Sequence, residues 1–383
     1  MIKIQKEAIL VRPRDLKPIS ELTEIIGTTN PAAVRLGNGS IVLYVRVIEK
    51  LKNFKDTDFF YSPRFEGENK SRIVLDKFPK KEIALKSNLG FNFKNGTKRL
   101  TYISYLKRVV LDKSGFNVSS IENGISFPCL SWDGELGIED ARITKIGKLY
   151  VMTYVSLSRD ANISTSIAIS NDCKKWYRRG IIFEEQNKDV VIFPELINGR
   201  YVAINRPEGS FEFSSPHIWL SYSKDLENWG RPRPFVLARK GKWDAERIGA
   251  GPPPTKTCKG WLFLYHGVKM KETKGLFPIF LIKKILHWQT KIESYSVGAA
   301  LLDLKEPSKI IAKAEFPIIS PKLGTEKKNI VKKEVVFPTG LVWGLNKENL
   351  LIFSGGGDEV VTVKKVDVEK IFEKMKKVDA FFC

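Results

Sequence analysis

Histidine is almost absent from this sequence: His217, His266 and His287 are the only three among 383 residues. A histidine-rich metal centre is therefore not expected. The four cysteines, Cys129, Cys173, Cys258 and Cys383, offer no substitute, because they form no Cys-x-x-Cys pair and no histidine stands at ligand spacing from them. Scattered single thiols point to a reducing, cytosolic setting rather than a disulfide framework. No apolar run approaches the roughly 20 residues that cross a bilayer. The opening segment MIKIQKEAILVRPRD has neither the apolar stretch nor the small-residue cleavage site of an export signal. The expectation is a cytoplasmic protein with no metal and no membrane partner.

Negative charge is also in short supply. Lysine and arginine number 64 against 43 acids, a net charge of +21. Such an excess would suit a nucleic acid, since basic side chains neutralise phosphates and release counterions. Here the basic residues are spread along the chain, with no RNP-type aromatic motif, no zinc-finger spacing and no long basic tail. A solvated lysine-rich surface or a site for a small anion fits better, and no nucleic-acid partner is expected. Hydrophobic residues at 43% and charged residues at 28% give an ordinary globular balance.

What the sequence does have is internal repetition. A short apolar step, often led by proline, runs through a turn into a second apolar run, and does so five times. The copies begin at Asn30-Pro31-Ala32, Asp140-Ala141-Arg142, Phe193-Pro194-Glu195, Pro253-Pro254-Thr255 and Phe337-Pro338-Thr339. Each reads as a β-hairpin. A second pattern follows each hairpin: an apolar strand that ends at an aspartate, then a polar turn. The aspartates are Asp112, Asp172, Asp225, Asp303 and Asp367, a residue type whose side chain bonds nearby backbone in tight turns. Interleaved five-fold repeats of this kind predict an all-β chain folded as one five-bladed β-propeller domain over 1–383. Residues 50–100 read as an insertion or lid loop, and residues 366–383 as a C-terminal helical tail packed outside, which offers a contact for a homo-oligomer.

Polar residues recur where the apolar runs end: Arg46, Tyr154, Asn205 with Arg206, His266 and Asp358. In a propeller these strand ends converge near the axis and form one pocket. Glu139-Asp140-Ala141-Arg142 adds two acids and an arginine beside an apolar strand. A carboxylic acid in a partly desolvated pocket can hold its proton at neutral pH and give it to a leaving oxygen. An Asp–Arg turn pair is the plainer reading of the tetrapeptide. Gly249-Ala250-Gly251 permits close backbone approach to a ligand or a structural crossing.

Together the segments NPAAVRLGNG, GIEDARITKIGKLYVMTY, KDVVIFPELINGRYVAINRP, WLSYSKDLENW, ERIGAGPPPTKTCKGWLFLYHGV and FPTGLVWG with GGGDEVVTV resemble glycoside hydrolase family 130, the β-mannoside phosphorylases and β-mannosidases. The resemblance runs from about Asn30 to about Val363. It implies the family's five-bladed propeller, with Asp140 as general acid whose proton passes through a sugar hydroxyl. It implies that Asn30, Arg46, Glu139 and Asp358 hold the mannosyl unit, and that Arg206, Arg247 and His266 hold phosphate. The sequence departs from the family pattern at Ala141 (usually proline), Asn205 (usually histidine) and Arg247 (usually lysine), the last keeping the charge in a planar fork.

An inverting hydrolase needs a second carboxylate set back to leave room for water. A phosphorylase needs instead a cationic cradle that aims an already anionic nucleophile. Arg206, Arg247 and His266 favour phosphorolysis of a β-mannoside to α-mannose 1-phosphate, with inorganic phosphate as co-substrate and no cofactor. Glu195 and Asp244 are the candidate bases if the enzyme is a mannosidase. A non-catalytic propeller binding glycan or nucleic acid would have no need of Asp140. Linkage, β-1,2 or β-1,4, and the acceptor sugar rest with loops, chiefly residues 50–100 and 207–217.

Overall fold

The apolar runs IVLYVRVIEKL, LYVMTYVSLS and NLLIFSGG are rich in β-branched and aromatic residues and form the strands Ile41–Leu51, Leu149–Ser158 and Asn349–Gly356. They lack strict polar alternation because each is an interior strand with both faces covered. The computed structural model describes residues 1–52, 56–68, 70–87, 89–208, 213–272, 291–322, 324–327 and 334–378. Among the described residues the chain is all-β with two short α-helices, and no helix there is long and apolar enough to cross a membrane.

Three sheets are four-stranded and antiparallel. The first comprises Thr23–Arg35, Ile41–Leu51, Tyr102–Leu111 and Val118–Ile121; the second, Gly137–Ile146, Leu149–Ser158, Asn162–Ser170 and Tyr177–Phe183; the third, Asn187–Ile192, Tyr201–Pro207, Ile218–Ser223 and Trp229–Val236. The remaining ten-stranded sheet contains two such ladders, joined by a parallel contact of Ser294 and Tyr295 with Glu334 and Val335. Its fourth-in-order ladder is built on Arg247–Ala250, Gly260–Glu272, Lys291–Leu302 and Ile310–Ala314. Its fifth combines Glu334–Trp343, Asn349–Gly356 and Val360–Asp367 with the N-terminal strand Ile4–Val11, so the two ends of the chain share one ladder.

Five apolar clusters lie between successive ladders. Val42, Tyr105, Ile138 and Met152 join the first to the second, and Val151, Ile167, Val190 and Ala203 the second to the third. Val191, Ile204, Phe263 and Trp261 join the third to the fourth, with Trp261 edge-on to Phe193 at 5.3 Å. Leu264, Val297, Val336 and Ile352 join the fourth to the fifth. Ala33, Ile41, Val342 and Phe353 return from the fifth to the first. Each fully buried large side chain contributes about 1.5–3 kcal/mol.

The five aspartates of the second repeat all close the third strand of their ladder, and each accepts backbone N–H bonds from the residues just beyond. Asp112 takes Gly115, Asp172 takes Lys174 and Lys175, Asp225 takes Glu227 and Asn228, Asp303 takes Lys305 and Glu306, and Asp367 takes Glu369.

Three local expectations differ from the structure. The third repeat does not start at Phe193-Pro194-Glu195: the inner strand is Asn187–Ile192, and the chain leaves the ladder at Pro194, which has no N–H to give. The 50–100 insertion is not a bare loop. Its aromatic residues form a hairpin, Phe59–Glu66 with Arg72–Pro79, and a three-stranded sheet, Ile83–Lys86, Gly90–Phe93 and Lys98–Leu100. Phe60 and Phe78 pack on Phe91 across the two. Residues 53–55, 69 and 88 of that insertion lie outside the described residues. The 366–383 tail is helical only over Val368–Phe372, capped by Asp367, with Val368 and Ile371 buried and Glu369 and Lys370 exposed. Met375–Lys377 then adds a strand to Ile310–Ala314, and residues 379–383 lie outside the described residues.

Candidate active site

The inner strands of the first three sheets each break register at a matching place, between Thr29 and Ala32, Glu139 and Arg142, and Lys188 and Val191; the first breaks also between Ile25 and Gly27. At each matching break one polar residue takes left-handed backbone: Asn30 at φ 45°, Asp140 at 48° and Asp189 at 56°. Asparagine and aspartate tolerate this conformation better than other side-chain-bearing residues, and a bulge re-aims the side chain it carries. Gly355 makes the first bulge possible, since a Cβ there would stand 2.1 Å from both Asn30 Oδ1 and Thr29 Oγ1.

The three residues open on one cavity of about 330 Å³. Asn30, Arg46, Asp140, Arg206, Arg247, His266 and Asp358, all expected from the sequence, line it. Glu139 stands behind, paired with Arg46. Lys188, Asp189, Glu208, Tyr295 and Phe337 also line it and were not singled out. A signal for Lys188-Asp189 exists: Asp189-Val190 makes the same polar-then-apolar step as Asn30-Pro31 and Asp140-Ala141. Reading the repeat from Pro194 hid it.

Asn30, Arg46 and Asp358 come from the first and fifth ladders, Asp140 from the second. Asn30 Nδ2 donates to Asp140 Oδ1 at 2.8 Å, and Arg46 Nη1 donates to the same oxygen at 3.1 Å. Arg142 Nη1 donates to the Asp140 carbonyl at 2.6 Å. Burial alone would raise the Asp140 pKa, but the Arg46, Arg142 and Lys188 cations and the Asn30 amide outweigh it and hold the carboxyl below its ordinary value. Desolvation by itself would favour the protonated acid, and the neighbouring cations oppose it.

The third and fourth ladders supply the basic half. Arg206 Nη1 pairs with Asp189 at 2.8 Å and Nη2 with Glu208 at 2.6 Å. Arg247 donates to the Tyr295 hydroxyl. His266 packs on Phe337 with ring centroids 4.4 Å apart, and its Nε2 lies 3.3 Å from Arg206 Nη1. Burial, reinforced by Arg206, Arg142 and Arg247 against the opposing Asp189, pushes the His266 pKa down to about 3. His266 is therefore a neutral ring at physiological pH, not a third cation. With Nε2 accepting from Arg206, the ring proton sits on Nδ1, and neither that atom nor Arg206 Nε has a hydrogen-bond partner among the described residues. Two buried donors beside Lys188 and Arg247 suit a polyoxygenated anion.

The two candidate bases are elsewhere. Glu195 has a side chain 45% exposed and pairs with Lys256 at 2.6 Å. Asp244 is fully buried but bound to Arg239 through both oxygens, at 3.0 and 2.9 Å. Neither lines the cavity. Of the departures, Ala141 is buried beside the bulge and Asn205 donates to Ser221 Oγ at 3.0 Å. Residues 209–212 of the 207–217 loop lie outside the described residues.

Residues 106–377 match the glycoside hydrolase 130 family, described as beta-1,4-mannooligosaccharide phosphorylase. A beta-1,2-mannobiose phosphorylase of Listeria innocua is 32% identical over 348 residues, covering 88% of either chain. A 1,2-beta-oligomannan phosphorylase of Thermoanaerobacter is 31% identical over 277 residues, which is 70% of this chain and 82% of the relative. Among solved structures, the Listeria innocua beta-1,2-mannobiose phosphorylase in complex with beta-1,2-mannobiose superposes with a TM-score of 0.80 at 29% identity, covering 95% of this chain and 96% of that one.

Proposed function

The chain belongs to glycoside hydrolase family 130, and on that premise we propose that it cleaves β-1,2-linked mannosides with inorganic phosphate, inverting them to α-mannose 1-phosphate and a shortened sugar. The observation that carries this reading is the division of the cavity. Asp140 bonds with Asn30 and Arg46 on one side, Arg206 meets Asp189 and neutral His266 on the other, Arg247 lines the same cavity, and Lys188 acts on both carboxylates. The β-1,2 linkage is favoured by the two relatives and by the bound disaccharide in the superposed structure.

In this reading the five ladders are the blades of a propeller. Its support is the cluster that returns from the fifth ladder to the first and the sharing of that fifth ladder by both chain ends. Free Cys129, Cys173 and Cys258 suit a cytosolic setting.

Asn30, Arg46 and Asp358 hold the mannosyl unit. A phosphate oxygen attacks the anomeric carbon from the face opposite the leaving sugar, and the carbon–oxygen bond breaks with its electron pair on the departing oxygen. That oxygen takes a proton from Asp140 by way of a sugar hydroxyl. The proton reaches Asp140 because phosphate, entering among Lys188 and the arginines, offsets the positive charge that otherwise keeps the carboxyl ionised. Orientation and charge complementarity then supply the rate, and no base is required.

The test is incubation with phosphate and either β-1,2- or β-1,4-mannobiose, with products identified by phosphorus and proton NMR. α-Mannose 1-phosphate from the β-1,2 disaccharide is expected. Product from the β-1,4 disaccharide alone would move the linkage, and a β-anomer would overturn the in-line displacement.

A further inference from the structure

Asp189 lies on its strand where Asp140 lies on the neighbouring one: same bulge, same left-handed backbone. Their surroundings differ. Asp189 is 1% exposed, with Arg206 Nη1 at 2.8 Å, Arg142 Nη2 at 3.2 Å and His266 Nε2 at 3.6 Å. Sealed among these groups it stays ionised and does not exchange protons with a substrate. A buried ion pair of this kind adds little net stability over well-packed apolar residues, because desolvation cancels most of the attraction. Its value is geometric.

We propose that Asp189 is the positioning residue of the phosphate cradle, the buried carboxylate that pairs with Arg206, which in turn donates to His266, and braces them against the catalytic bulge. The inference rests on the phosphorolytic reading above. The Arg206 fork is held by Asp189 on one arm and Glu208 on the other, and the deeply buried Asp189 contact anchors the plane in which its unpartnered Nε points. The brace runs through Arg142, whose Nη2 meets Asp189 while its Nη1 holds the Asp140 carbonyl at 2.6 Å. The rigid fork of one guanidinium thus fixes the spacing between the acid and the anion site. Displacements on the order of 1 Å in such a spacing cost about 100-fold in rate. Gly249 leaves room for the trio: a Cβ there would lie 2.3 Å from Asp189 Oδ2, 2.5 Å from His266 Cε1 and 2.9 Å from Arg206 Nη1.

The experiment compares wild type, Asp189→Asn and Gly249→Ala. The first replaces one carboxylate oxygen by an amide nitrogen that repels Arg206; the second wedges the trio apart without touching a charge. Mannobiose binding is measured calorimetrically without phosphate, and KM for phosphate in the steady state. Both variants are expected to bind mannobiose within about twofold of wild type and to raise the phosphate KM at least tenfold, about 1.4 kcal/mol. An unchanged phosphate KM in a variant that still binds mannobiose overturns the proposal. Loss of mannobiose binding in both also overturns it, since the carboxylate would then serve the fold as a whole. Wild-type turnover is checked first: absence of any phosphate-dependent product would sink the phosphorolytic reading itself, whereas an active wild type with indifferent variants sinks only the role of Asp189.

Discussion

Burial and the surrounding arginines hold the His266 pKa at about 3 in the native protein, whereas an unfolded chain has a histidine near 6.5. Between those values the unfolded chain binds a proton that the native pocket refuses. Stability therefore rises with pH across this window and is lost as the solution is acidified below about 6.5. Each pH unit corresponds to about 1.4 kcal/mol, so His266 alone removes about 2 kcal/mol by pH 5. His266→Gln keeps a donor and an acceptor but cannot titrate. Urea unfolding of both proteins at pH 7.5 and pH 5 isolates the difference, because every other titrating group is common to them. Wild type is expected to lose about 2 kcal/mol more than the variant over that interval. Losses equal to within about 0.5 kcal/mol, a margin set by the extrapolation, would show that the ring is not held neutral, and the description of the basic half of the pocket would fail with it.

Asp140→Asn preserves shape and the Asn30 contact but removes the transferable proton. It is expected to lower kcat by about 10²–10⁴-fold with mannobiose binding retained in calorimetry, and full activity would displace Asp140 as the acid. Gly355→Ala drives a methyl into Asn30 Oδ1 and Thr29 Oγ1, an overpacking cost of about 1–3 kcal/mol. A lower Tm and a raised mannobiose KM are expected together, and an unaltered KM would show that the Asn30 bulge does not hold the sugar.

The ladders were legible because their signals are local. An aspartate that closes a strand and takes backbone N–H groups from the residues just beyond leaves the same mark five times, and continuous apolar runs mark strands covered on both faces. Site residues at hairpin ends were legible for the same reason, Arg46, Arg206 and His266 each standing where an apolar run stops. Asp189 was not, because its bulge precedes a proline that looked like the start of the hairpin. The charge states of Asp140 and His266 were not legible, since each depends in part on charges that arrive from other ladders. Arg46 from the first ladder and Lys188 from the third reach Asp140, and Arg206 from the third and Arg142 from the second act on His266. The insertion at 50–100 looked polar by composition, while its order comes from phenylalanines that meet only after the hairpin and the three-stranded sheet form.

The claim on which the rest depends is that phosphate, not water, is the nucleophile. Consumption of β-1,2-mannobiose with phosphate titrated from zero tests it most directly. The account predicts no turnover without phosphate, saturation as phosphate rises, and one α-mannose 1-phosphate for each disaccharide cleaved. Free mannose released at a rate independent of phosphate would contradict it and turn attention to Glu208, a cavity-lining carboxylate now paired with Arg206, as the base of a hydrolase.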